Sequence, residues 1–157
     1  MRSTVRDVVM ALCAATLALG ACGEDTRNEA NVLIDRVRSI DIELPLEVRR
    51  ARVAALRELA PRDPDVRRAK EVCLRMHESL VTAETEQNKA RRIFAMFRGG
   101  GTPSTRQRED IDRALRASEA ATKRAQRSLD ACTRQVADLE LRFGTRRAVP
   151  PRSDSPP

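Results

Sequence analysis

Four cysteines (Cys13, Cys22, Cys73 and Cys132) and one histidine (His77) are the residues in this chain whose types most readily do chemistry. A dithiol redox centre needs Cys-x-x-Cys, and no two of these cysteines are so spaced. His77, in Met76-His77-Glu78, has the side chain of a general base or pH sensor. No Ser/His/Asp set assembles around it. Gly-x-Ser-x-Gly, His-Glu-x-x-His and a Gly loop followed by Lys-Ser/Thr are all missing. Asp110 and Asp112 stand among arginines, and Glu109–Arg113 and Asp112–Arg116 have the spacing of solvated helix pairs rather than of an acid/base couple. No catalytic residue is therefore expected, and His77 reads as a surface residue flanking a helix seam.

The elements that position the cysteines follow from periodicity. Val66, Ala69, Cys73, Met76, Leu80, Ala83, Gln87, Ala90, Phe94 and Phe97 recur at alternating heptad spacing, as do Ile111, Leu115, Ser118, Thr122, Ala125, Leu129, Cys132, Val136, Leu139 and Phe143. Two antiparallel helices, about 64–97 and 104–143, are predicted around Gly99-Gly100-Gly101. If Cys73 faces Cys132, partners have numbers that sum to 205. That register pairs Val66 with Leu139, Ala69 with Val136, Met76 with Leu129, Leu80 with Ala125, Ala83 with Thr122, Ala90 with Leu115 and Phe94 with Ile111. It also pairs polar Gln87 with polar Ser118, and its midpoint falls beside the glycines and Pro103.

Composition agrees: 41% hydrophobic, 34% charged, no Trp or Tyr, which favours an elongated all-α protein with thin seams. Asp63 is the expected N-cap of the first long helix with Pro64 at its first position, and Ser104 with Gln107 forms a capping box for the second. Gly144 supplies a stop. Upstream, Ala30, Leu33, Val37 and Ile40 mark a short helix over 27–40. A second, from Pro45 to Ala60, turns Val53 and Leu56 inward and folds back on the hairpin's base. The expected fold is a long hairpin with a shorter helical pair on its base, three-helix-bundle-like and disulfide-linked. Residues 29–143 form its single domain, and 144–157, rich in Pro and Arg, are a disordered tail.

Residues 1–21 carry Arg2 and Arg6 and then an uncharged run from Val8 to Ala21, too short for a stable transmembrane helix. The run ends in Leu19-Gly20-Ala21-Cys22. This resembles the lipobox of bacterial lipoprotein precursors, with Leu at −3, small residues at −2 and −1, and Cys at +1. The resemblance covers the first 22 residues and no more of the chain. It implies cleavage between Ala21 and Cys22, covalent acyl chains on Cys22 and membrane attachment through them. Cys13 competes poorly, since Leu12 would sit at −1. Gly23 in place of Asp implies, by enterobacterial-type sorting, the outer membrane of a Gram-negative envelope, facing the periplasm. Residues 22–28 read as the lipidated cysteine and a polar tether. Cys73 and Cys132 then remain in an oxidising compartment, and a structural disulfide is expected. Two cysteines and one histidine do not make a zinc site, so no metal and no cofactor beyond the acyl chains is expected.

Formal net charge is +7; the segment before Cys22 holds two Arg and one Asp, which leaves +6 on the mature side chains. Nucleic acid is excluded as a partner by compartment and by the lack of aromatics. The Arg49-Arg50, Arg67-Arg68 and Arg91-Arg92 pairs are candidate anion-binding residues. Two functions are carried forward. One is a non-catalytic, membrane-anchored envelope lipoprotein whose hairpin is a structural element or meets an envelope protein partner. The alternative is a binding module for anionic cell-wall polymer, lipopolysaccharide or lipid headgroups through those arginines. Self-association through Leu74 and Val81 is a third possibility.

Overall fold

The computed structural model describes residues 24–97 and 100–143, and every secondary-structure element among them is helical. Helix α1 covers residues 24–38, α2 Leu46–Glu58, α3 Pro64–Ala95 and α4 Thr105–Phe143. The lipobox, the Gly144 stop and the Pro/Arg tail lie outside the described residues. The stretch expected as a tether is helical from residue 24 onward.

The local signals act where the sequence puts them. Asp63 accepts from the backbone N–H groups of Asp65 and Val66 at 2.9 and 3.0 Å, with Pro64 opening α3. These bonds satisfy two of the donors that a helix start leaves without partners. At α4, Gln107 Oε1 accepts from the Ser104 N–H at 2.9 Å, and Ser104 Oγ accepts from the Gln107 N–H at 3.3 Å. Pro45 stands one place earlier than expected, as the N-cap of α2, because its ψ of 141° is extended rather than helical. Gly100 takes the positive φ of 97° that the reversal between α3 and α4 requires.

The core lies at the open end of the hairpin. Ala30, Leu33 and Ile34 of α1, Ile40 beyond it, Val53 and Leu56 of α2, Val66 and Ala69 of α3 and Leu139 of α4 form one buried cluster. Cys73, Met76 and Cys132 form a second. The base is thus the expected helical pair packed on the hairpin, and α1 contributes core residues as fully as α2. Glu29 fixes α1 in place, its carboxylate accepting from the Arg62 and Asp63 N–H groups at 2.9 and 3.0 Å. Lys70 Nζ donates to the Arg57 carbonyl at 2.6 Å and to that of Leu59, binding the end of α2. Leu74 and Val81, a candidate self-association stripe, pack instead against the base cluster.

Cys73 and Cys132 are disulfide-bonded with Cα atoms 4.8 Å apart, as the register requires. The rest of the seam is only half as expected. Ile111, Ala125, Cys132 and Leu139 are buried, but between them Ala114 and Ala121 face α3, while Leu115 and Leu129 are 44% and 49% exposed. On α3, Gln87 is exposed and Phe94 is 52% exposed. Ser118 does not meet Gln87; its hydroxyl donates to the Ala83 carbonyl at 2.9 Å. Facing Cα atoms 4.8 Å apart at the disulfide put the axes there within about 9.4 Å, given a Cα radius of about 2.3 Å, an ordinary helix spacing. Between Ile111 and Leu139, α4 turns the smaller Ala114 and Ala121 inward.

Two outcomes follow from this packing. Replacing Cys73 and Cys132 by serine, which opens a loop of sequence separation 59, should lower unfolding free energy by about 4 kcal/mol in the chain-entropy model, read as a lower denaturant midpoint. Ala121→Leu should destabilise by about 1–3 kcal/mol through overpacking, and Leu129→Ala by less than about 1 kcal/mol. The reverse ranking would restore the leucine seam.

Candidate functional site

The arginines singled out by sequence do not gather into one surface. Arg49 is 6% exposed and belongs to the interior. Its Nε donates to the Leu44 carbonyl at 3.0 Å and its Nη2 pairs with Glu84. A guanidinium so committed joins α2 to α3 and is not offered to a ligand. Its sequence neighbour Arg50 pairs with Glu47 at 2.8 Å and donates to Thr85 Oγ1 at 2.7 Å. Arg67 donates to the Arg62 carbonyl at 2.8 Å, and Arg68 is exposed beside it. Arg91 and Arg92 are exposed near the hairpin turn and have no ion pair or hydrogen-bond partner among the described residues. From Arg67 to Arg91 the rise of α3 is about 36 Å. Cys22 and Ala21 lie outside the described residues, and Cys73 and Cys132 are bonded to each other.

His77 is not the surface residue expected. It is 6% exposed, and its Nε2 is buried with no hydrogen-bond partner. Loss of hydration, and secondarily the charge of Arg49, pushes the imidazole down to about 4. It is neutral at pH 7. The signal that would have found it is a second seam on α3. Lys70, Leu74, His77, Val81 and Glu84 alternate at heptad spacing one position beyond the first seam, on the face where α2 packs. The leucine and valine of that series show in the sequence as an apolar stripe; its histidine is the member that α2 covers.

At the base, charge closes the bundle. Arg142 pairs with Asp65 at 2.6 Å, which holds the Asp65 carboxyl below its ordinary range and raises the Arg142 guanidinium. Arg142 also lies 5.3 Å from the Phe143 ring centroid. Arg27 Nε donates to the Phe143 carbonyl at 2.8 Å, and Arg38 pairs with Glu140. The first bond holds the early part of α1, and the second its last residue, against the end of α4. Among the described residues no group of three or more His, Cys, Asp or Glu is arranged to hold a metal ion. Nor is any described helix long and apolar enough to cross a membrane.

The His77 shift makes stability depend on pH with a definite sign. Because the folded imidazole titrates near 4 and the unfolded one near 6.5, the unfolded chain binds the proton first as pH falls. The stabilisation is complete above pH 6.5 and is lost between 6.5 and 4. Its size is about 3 kcal/mol. Denaturant titrations at pH 7 and pH 4 should show the wild type losing that much more than His77→Asn; equal losses would remove the assignment.

Compared with protein-family models, with curated proteins and with solved structures, the chain finds no match.

Proposed function

We propose that this chain is a lipid-anchored cell-envelope lipoprotein whose helical hairpin serves as a non-catalytic structural or protein-interaction element. The observation that carries the reading is the Leu19-Gly20-Ala21-Cys22 motif, which ends two residues before the described residues begin at 24. The Cys73–Cys132 pairing is consistent with it, because structural disulfides persist in oxidising compartments. The non-catalytic part of the reading is supported by a histidine that is buried and neutral with an unpartnered Nε2.

The mechanism is one of position. Two residues of chain reach at most about 7 Å, so an acylated Cys22 lies close to residue 24. The part of α1 just beyond it, at Arg27 and Glu29, sits against the end of α4 and the turn before α3, at the open end of the hairpin. Helix α3 has 32 residues and rises about 48 Å. An anchor at Cys22 therefore holds the four-helix base near the bilayer and carries the turn region around Gly100 away from it.

Expressed in a Gram-negative host, the wild type should incorporate an alkyne-tagged palmitate and begin at Cys22 by mass spectrometry. Cys22→Ser should lose the label and retain residues 1–21. A wild type without label, or cut elsewhere, would overturn the proposal.

A further inference from the structure

A groove of about 300 Å³ runs between α3 and α4, lined by Arg75, Glu78, Ser79, Arg124, Arg127 and Ser128, and borders the α2 side of α3 at Glu78. Helix α2 packs on the flank of α3 that holds His77 and Val81, whereas Arg75 and Ser79 stand on the opposite flank of the seam. Three arginines and two serines, from two helices, line the groove. None of the three arginines has an ion pair or hydrogen bond among the described residues. The carboxylate in the lining, Glu78, is already committed to Arg57, whose Nε and Nη2 donate to it at 3.1 and 2.8 Å. The groove is left positive, although Arg38, Arg49, Arg50, Arg57, Arg113 and Arg142 all have carboxylate partners.

We infer that this groove is a binding site for a phosphate-bearing ligand, of the diphosphate or phosphodiester class. Guanidinium presents N–H donors in a planar fork that matches two phosphate oxygens at once, and three such forks with hydroxyl donors fit a ligand of more than one anionic centre. The backbone positions that carry the donors are also fixed in advance of binding. Arg75 is two residues after Cys73 and Ser128 four before Cys132, so the disulfide fixes the offset of the two helices at this level. Fixing the frame lowers the ordering cost that binding must meet. The inference goes beyond the anchoring proposal and does not rest on it: a groove on an unlipidated hairpin would bind equally. It also differs from the sequence-adjacent arginine pairs, because its members come together only through the fold. Along α3 the groove starts about 16 Å from the base, which favours a soluble or polymer-borne phosphate over a headgroup of the anchoring leaflet.

The test is a titration of the full-length chain in nonionic-detergent micelles with inorganic pyrophosphate, followed by backbone amide NMR. Saturable shifts confined to Ser79 and residues 124–128, about tenfold weaker binding in Arg124→Gln/Arg127→Gln, and unchanged binding in Arg91→Gln/Arg92→Gln are expected. All four arginines are exposed, so these variants keep the fold. A second arm dopes the micelles with phosphatidylglycerol. The same shifts there, abolished by the groove variant, assign the site to a lipid headgroup, and their absence beside pyrophosphate binding assigns it to a non-lipid phosphate. No saturation in either arm, or equal loss in the two double variants, overturns the site.

Discussion

The close approach of α3 and α4 is the constraint on which the other features depend. A bond between Cys73 and Cys132 requires their Cα atoms to lie within about 7 Å of each other, and here they are 4.8 Å apart. The packing of the two helices turns Ala114 and Ala121 of α4 inward. It leaves Leu115 and Leu129 on the outside and puts a serine hydroxyl within reach of a backbone carbonyl on the facing helix. It also sets the width of the groove above it, and hence the separation of the arginines on the two walls.

Features that depend on neighbours in the sequence were legible in the sequence. Asp63 with Pro64 and Ser104 with Gln107 are caps whose partners lie two or three residues away. The pairing of Cys73 with Cys132 was legible because a heptad repeat on each helix leaves few registers that bring them level. The choice between Ala114 and Leu115, or Ala121 and Thr122, was not. Both alternatives share Ile111, Ser118, Ala125, Cys132 and Leu139 and differ by one residue between them. Hydrophobicity favours Leu115 over Ala114, and the packed hairpin buries the alanine.

Long-range layering hid the rest. Arg49 and His77 are polar residues whose burial depends on α2 lying along α3, and nothing adjacent to either in the chain announces it. Their neighbours mislead: Arg49-Arg50 reads as a pair of surface charges, although Arg49 serves the interior and Arg50 the surface. The groove arginines show the converse. Arg75 is far in sequence from Arg124 and Arg127, so no basic run marks them, and only the folding back of α4 brings them to one face.

The position of the disulfide along the hairpin has a mechanical consequence. It lies toward the base, ten residues from Asp63 along α3; α2 runs past it along α3 as far as Glu84 and Thr85, and only beyond them is the tip two helices without a second layer. Tension between residue 24 and the tip loop would run through α1, α2 and α3 in turn, leaving α4 outside the load path as far as Cys73. Such tension first peels the base layer from its cluster and then reaches a rivet at Cys73, where α4 begins to share the load. The hairpin is therefore stiff in the part that projects and compliant in the part nearest the start of the chain.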